Sequence, residues 1–510
     1  MNVSKLPEVY PSVVHMLAEA AHRWPDREAV ACGGDRLTYS DYFGAVAGFA
    51  KQLTELGASQ QRVALVMANS VDICIAMFGV HAAGAQAVPL NPLYTAAELV
   101  PILSDAEPHV LIYDALSAPV IATVLEKVTV PHVIELGTSA GRRAFDQLAE
   151  ALPEPWPAPE DPATLQYTGG TTGVSKGVNL SHLNIAVNIS QREALLPTAT
   201  TGERILSVLP LFHIYGVAMC LHNAVYAGAT LVVLPRFTPE AAFELLKTEQ
   251  ITILAGSPTV FVGLMADERF AAADFSQLKL SYSGSAPLPA ALLEKWRIAT
   301  GAPVLEGYGQ SESAPVISFN PLHGKQKPGS VGLALPQTDI EIVDAVDGQT
   351  VLGAGESGEI RIRGPQVMQG YHNRPAETAQ ALRNGWLYTG DIGELDTEDY
   401  LYIRDRKKDM LIVSGFNVYP REIEELLHRH PKVLEAAVIG RADDYRGEMP
   451  HAFVTPAPDC ELTAEELEAY CRENLAAYKV PRAYDFVDAL PKTGAGKIHK
   501  LALHERAGSP

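Results

Sequence analysis

Between residues 62 and 113 the chain alternates short apolar runs with one longer helical stretch. Arg62-Val63-Ala64-Leu65-Val66-Met67 is a β-branched run, Val71–Ala83 reads as a helix, and Ala85–Leu90 and His109–Tyr113 are again short and apolar. Strand, helix, strand at this spacing reads as βαβ units, which build a largely parallel sheet with helices on its faces. A second alternating region is expected from strands near Arg204–Leu209, Thr230–Leu234 and Ile251–Ala255. Val13, Val14, Leu17 and Ala20–Ala21 recur at helical spacing over residues 12–24. From Val331 to Arg363 the pattern turns to short strands with Gly turns, a small β-rich subdomain. The last hundred residues read as a compact α+β domain. Pro420 opens a helix with Ile423, Leu426 and Leu427 on one face. Glu435–Gly440 is a strand, Thr463-Ala464-Glu465-Glu466 is a capping box opening a helix to about Leu475, and Ala483–Val487 is a strand.

A length of 510 residues calls for more than one domain. The formal net charge of −20 argues against nonspecific nucleic-acid binding, which needs a basic surface. An anionic substrate must then be drawn in by a local positive site. The five cysteines (Cys32, Cys74, Cys220, Cys460, Cys471) are scattered and odd in number, so a reduced cytoplasmic setting is expected. The polar start Met1-Asn2-Val3-Ser4-Lys5 predicts no secretory signal. No apolar run reaches the roughly 18 residues of a membrane span, which leaves room only for peripheral membrane contact. Nothing in the sequence fixes an oligomeric state.

Residues 153–162 hold five prolines and read as a stiff connector. Leu165-Gln166-Tyr167 is then expected as a short strand feeding Thr168-Gly169-Gly170-Thr171-Thr172-Gly173-Val174-Ser175-Lys176-Gly177. Glycines let backbone N–H groups approach a ligand closely, hydroxyls add donors, and Lys176 adds a mobile positive charge. Together they suit a polyphosphate. The order is not that of a Walker A loop, since the lysine precedes its glycine. The same composition also makes a mobile surface turn.

Further along, Gly307-Tyr308-Gly309-Gln310-Ser311-Glu312 sets an aromatic, a hydroxyl and a carboxylate within a few residues. Tyr308 could stack on a base, and Glu312 could hold Mg²⁺, a hard cation that prefers oxygen ligands. A polar loop after the strand Pro303-Val304-Leu305 is the plain alternative. Tyr388-Thr389-Gly390-Asp391 offers an acceptor after a tight turn, and Arg404–Asp409 is a charge run of the kind that is usually a solvated face. Pro210–Gly216 places His213 and Tyr215 after a strand, where a lone His is more often a core residue. Pro491–Ile498 is a Gly-rich loop presenting Lys497. His428 and His430 are two apart on a helix, share no face, and are rejected as a metal site.

These segments, in this order, resemble the motifs of the adenylate-forming superfamily of acyl-CoA synthetases, luciferases and peptide-synthetase adenylation domains. The common form has Ser at Gly169, Pro at Ser175 and Thr at Ser311. Gly-Gly-Thr-Thr-Gly followed by Val looks most like the fatty acyl-CoA ligase branch. The resemblance spans about residues 12–500. It implies an α/β fold: a large N-terminal domain of two mainly parallel, helix-flanked sheets with a small β-barrel subdomain (1–404), a hinge (405–408, at Lys408), and a small mobile α+β lid (409–510). It further implies that Thr168 to Gly173 and Lys176 hold phosphates, and that Gly284, Ser285 and Ala286 line the adenine and acyl group. Gly307, Tyr308 and Gly309 belong to the nucleotide site, Ser311 and the Mg²⁺ ligand Glu312 to the reacting centre. Asp391 and Arg406 hold the ribose, and Lys497 touches the carboxylate and α-phosphate. His213, Ile214, Tyr215 and Gly216 line the acyl pocket, and Ser414, Gly415 and Phe416 the approach of CoA. The implied activity is a carboxylic acid:CoA ligase using ATP and Mg²⁺, its acid a medium- or long-chain fatty acid. An aryl, cinnamate-type acid is the alternative, or a carrier protein in place of CoA. The intact Lys497, Glu312 and Asp391 speak against a non-catalytic scaffold.

Overall fold

A computed structural model describes residues 6–137, 140–168, 175–286, 288, 290–414, 416–443, 446–458, 460–493 and 497–508. Two large sheets dominate. The first has seven strands, in the order 370–371, 176–181, 162–168, 86–90, 62–66, 110–114, 132–136. Its centre is parallel, as the βαβ pattern predicts, and the hairpin Pro162–Thr168/Lys176–Ser181 closes one side antiparallel. The second has nine strands, running from 333–334 through 316–319, 304–309, 280–283, 253–256, 204–207 and 230–233 to the N-terminal hairpin 28–32/35–38. The helix Val71–Ala82 is buried on every side and packs against strands of both sheets. That is why it reads as apolar all round rather than as a stripe. One core runs continuously between the sheets.

The β-rich subdomain reaches further than the sequence suggests. It pairs 339–343, 358–363, 382–383, 386–395 and 401–406 antiparallel, so the charge run from Arg404 is in part a strand rather than a solvated face. Asp405 in that run is buried. The C-terminal region forms its own five-stranded sheet from 411–413, 416–418, 433–443, 447–456 and 483–486. The helices Pro420–His428 and Ala464–Asn474 cover it, with their own core around Ile423, Leu427 and Leu467. Asp405 ties the two regions together: its Oδ2 accepts the Arg421 N–H at 3.0 Å, in the first turn of the helix from Pro420. A carboxylate there pairs with the positive end of the helix dipole. Among the described residues no helix is long and apolar enough to cross a membrane.

Candidate active site

Thr168 and Lys176 stand opposite each other at the end of the hairpin where residues 169–175 connect the two strands. Gly169, Gly170, Thr171, Thr172 and Gly173 lie outside the described residues. Lys176 Nζ sits 5.1 Å from the centre of the Tyr371 ring, a cation–π contact. Tyr371, paired with Val178 on the edge of the same sheet, donates its hydroxyl to Glu312 Oε1 at 2.8 Å. Glu312 lies on a single 3₁₀ turn, Ser311–Ser313, just past the strand Val304–Gly309. Burial raises the Glu312 carboxyl, while the Tyr371 hydroxyl and the Lys176 charge act to hold it ionised.

The polar loop offered as the plain alternative after Leu305 does not form there: the strand runs on through Gly309. Its glycines answer to strand packing: a Cβ on Gly307 would sit 2.1 Å from the Phe319 ring, and one on Gly309 1.8 Å from Pro315 O. Between them Tyr308 donates its hydroxyl to Asp391 Oδ2 at 2.6 Å. Asp391 follows Gly390, whose φ of +72° marks a bulge inside the strand Trp386–Leu395 rather than the tight turn expected before Asp391. Asp391 and Arg406 are direct cross-strand partners. Burial raises the Asp391 carboxyl; Tyr308, Arg406 and Lys497 oppose that rise.

Lys497 completes the group from the C-terminal region. Thr493 and Lys497 hydrogen-bond to each other, with the Thr493 N–H donating to Lys497 O at 2.7 Å. The Lys497 ammonium is pushed down to about 8 by burial and by Arg406, against the pull of Asp391 and Glu312. Its charge also reaches His213, which burial first and Lys497 second push down to about 3. The fold therefore brings Glu312, Asp391, Arg406, His213 and Lys497 together from residues almost three hundred apart in sequence.

His213 Nδ1 accepts the Tyr215 N–H at 3.2 Å and caps the turn Ile214–Gly216. Gly284 packs against the Tyr215 ring: a Cβ on Gly284 would lie 3.0 Å from it. At Gly216 a Cβ would meet Pro210 O at 2.3 Å. Ser285, beside Ala286, adopts φ +74°, a strained backbone of the kind kept at functional sites. Ser414 and Phe416 stand on the hairpin 411–418, and Gly415 between them lies outside the described residues. The contacts described for them stay within the C-terminal region: the Ser414 N–H donates to Arg446 O, and Phe416 stacks on Tyr478 at 4.7 Å. Among the described residues, no contact joins them to Lys497. Lys408 is exposed, two residues past Arg406. The sequence reading missed Tyr371 and the capping role of Asp405. Neither sits in a spacing that announces it, because each acts on a group distant along the chain.

What this arrangement can do is bind anions and charge. Lys176, Arg406 and Lys497 surround two carboxylates inside a protein of net charge −20, which is the local positive site that such a chain requires. Glu312 offers a single carboxylate with Ser311 alongside. That donor set fits Mg²⁺, which binds through one or two carboxylates and fills its sphere with phosphate and water oxygens. It does not fit a closed all-protein metal cage; among the described residues no cluster of three or more ligating side chains occurs.

The AMP-binding enzyme family matches residues 17–372, and the AMP-binding enzyme C-terminal domain matches residues 422–497. The chain is 38% identical over 535 residues to a long-chain-fatty-acid–CoA ligase of Bacillus subtilis (strain 168), covering 98% of this chain and 95% of that protein. It is 36% identical over 493 residues to a feruloyl-CoA synthase of Amycolatopsis sp, covering 95% and 96%. Among solved structures, the anthranilate CoA ligase AuaEII in complex with anthranoyl-AMP superposes with a TM-score of 0.92 at 29% identity, covering 99% of each chain. Matched along nearly its whole length, the chain belongs to the AMP-binding enzyme family and is an AMP-forming acyl-CoA synthetase.

Proposed function

We propose that the acid is a medium- or long-chain fatty acid, activated on ATP and passed to CoA. The observation that carries the reading is the meeting of Lys497 with Glu312, Asp391 and Arg406 across the two regions of the chain. The fatty substrate is supported by the name of the Bacillus relative.

ATP and a carboxylate repel each other, so their encounter needs neutralisation at the reacting atoms. In the first step the carboxylate oxygen attacks the α-phosphorus and pyrophosphate leaves. Asp391 and Arg406 hold the ribose, Thr168 to Gly173 and Lys176 the outer phosphates, and the Lys497 ammonium meets the charge that develops on the α-phosphate. Such preorganised charge is the main source of rate in phosphoryl chemistry. Glu312, with Ser311, would hold Mg²⁺, which when bound neutralises phosphate charge. In the second step the CoA thiol gives up its proton, its sulfur attacks the acyl carbon, and AMP leaves.

The thiol then needs the space that Lys497 fills. A lid of residues 409–510 turning about 405–408 on a large domain of 1–404 would withdraw Lys497 and bring Ser414, Gly415 and Phe416 to the reacting centre. The approach of Lys497 to Asp391 and Glu312 fits the first of these two arrangements. AMP release that depends on both a fatty acid and CoA tests the reading. ATP–pyrophosphate exchange driven by the acid, with no CoA-dependent product, would move the acceptor to a carrier protein. Turnover of cinnamates with none of straight-chain acids would move the substrate to the aryl class.

A further inference from the structure

Residues 368–374 run as a strap between the turn that carries Glu312 and the hairpin that carries Lys176. The Met368 N–H donates to Glu312 O at 2.8 Å, the Gln369 N–H to Asn179 O at 3.0 Å and the His372 N–H to Gly177 O at 2.7 Å. Gly370 turns the strap with φ +143°, where a Cβ would meet Thr378 at 2.8 Å, and the Tyr371 N–H goes to Thr378 Oγ1 at 2.9 Å. Asp105 pins the far end. His372 Nε2 donates to its backbone O at 3.1 Å, and Arg374 pairs with its carboxylate at 3.6 Å. The same carboxylate accepts the Tyr167 hydroxyl at 2.7 Å, and Tyr167 is the residue before Thr168. A strand pair of only two residues is thus held from both ends, which fixes where Tyr371 stands.

Tyr371 uses its two parts separately. Its hydroxyl donates to Glu312 Oε1 at 2.8 Å, and its ring face receives Lys176 Nζ at 5.1 Å from the centre. The hydroxyl engages one oxygen of Glu312, limits the rotation of that carboxylate and leaves Oε2 as its second acceptor. The ring attracts the ammonium through its quadrupole without neutralising it, so the charge stays available to an anion. Packing in this half-buried place needs the ring but not the hydroxyl. A hydrogen bond to a carboxylate that ligates a metal orients that ligand, and its loss weakens metal binding.

We propose that Tyr371 is a positioning residue for adenylation: its hydroxyl sets the Glu312 carboxylate for Mg²⁺, and its ring seats Lys176 for the outer phosphates. This rests on the reading in which Glu312 holds Mg²⁺ and Lys176 holds phosphate. It adds how the two groups keep their spacing before ATP arrives.

The test is ATP binding by calorimetry without acid or CoA, so that no turnover occurs, in excess Mg²⁺ and again in EDTA. Wild-type protein should bind ATP more tightly in Mg²⁺, and Glu312→Gln should lose that gain. Tyr371→Phe keeps the ring and loses the hydroxyl. It should bind ATP normally in EDTA, while its gain from Mg²⁺ shrinks by about 10- to 100-fold. Tyr371→Leu loses both parts, so its affinity in EDTA should also fall, by about 2- to 30-fold as a cation–π contact allows. That added loss should vanish in a Lys176→Ala background. A Tyr371→Phe variant that keeps the full gain overturns the proposal. So does one that loses affinity equally in Mg²⁺ and in EDTA, which is the mark of packing alone. Unchanged affinity of Tyr371→Leu in EDTA, or an added loss that persists without Lys176, overturns the seat for Lys176. If Tyr371→Leu does not fold, Tyr371→Phe decides. A wild-type protein without the gain, or a Glu312→Gln variant that keeps it, sinks the metal reading of Glu312 and this proposal with it.

Discussion

Lys497→Ala should separate the two half-reactions. The ammonium falls from 10.5 to about 8 in the site, burial first and Arg406 second. At about 1.4 kcal/mol for each tenfold change in proton affinity, keeping it charged in the free enzyme costs roughly 3 kcal/mol. ATP and the carboxylate would return that cost by bringing negative charge to it. Removing one such donor typically slows a reaction by roughly 10²–10³. Single-turnover formation of acyl adenylate should fall by that factor in Lys497→Ala, while supplied acyl adenylate and CoA should form thioester at close to the normal rate. The proton sets a second reading. The ammonium is present below about 8 and is lost as the pH rises through it, so kcat/KM for adenylation should decline on the alkaline side there. Lys497→Arg keeps its charge and should move that decline out of range. If Lys497→Ala slows both halves equally, the withdrawn lid of the second step is wrong. Lys408→Pro should behave in the opposite way, sparing adenylation and blocking thioester formation, because proline fixes φ and resists rotation.

Asp391→Ala should raise KM for ATP, by roughly 10- to 150-fold if one charge-assisted hydrogen bond to ribose of roughly 1.5–3 kcal/mol is lost; an unchanged KM in a folded variant rejects the ribose role. In a series of straight-chain acids kcat/KM should climb by about 0.8 kcal/mol per buried CH₂ and then break off where the acyl pocket is full, and a flat series argues against a fatty substrate. Glu306 is buried with its Oε2 unpartnered and is pushed up to about 7 from 4.5, by burial first. The folded chain therefore holds that proton where the unfolded chain has lost it, and stability should fall as pH rises from about 4.5 to 7, by up to ~3 kcal/mol. Glu306→Gln should flatten this slope in urea unfolding followed against pH; a slope unchanged by the substitution places its origin elsewhere.

Local chemistry was legible in the sequence wherever one segment carries it. The helix from Val13, the strands from Arg62, Arg204 and Thr230, and the cap at Thr463 all stand within a few residues of their expected bounds. Periodicity and capping are properties of neighbours along the chain, so they can be read there. The sheet order cannot. Strand Glu28–Cys32 lies beside Thr230–Val233, two hundred residues away, and no local pattern announces that pairing. The site divides along the same line. Asp391 and Lys497 stand in motifs, but Tyr371, which bridges Lys176 to Glu312, comes from an edge strand of two residues. The glycines at 307 and 309 look like ligand contacts in sequence; strand packing demands them first.

The pairing of Asp391 with Arg406 also decides where this chain can change length. The two strands are joined by a turn in which Asp396 Oδ1 accepts the N–H groups of Glu398 and Tyr400. Side chains alternate along a strand, so inserting or deleting one residue between 395 and 401 would send Arg406 to the opposite face. A change of two residues would keep the face but slide Arg406 past Asp391, and would carry with it the whole region that Asp405 anchors. No such consequence attaches to the turn at 344–350, whose tip residue Val346 is 96% exposed. Insertions should be tolerated there and rejected at 396–400, although both are short surface turns in the same sheet.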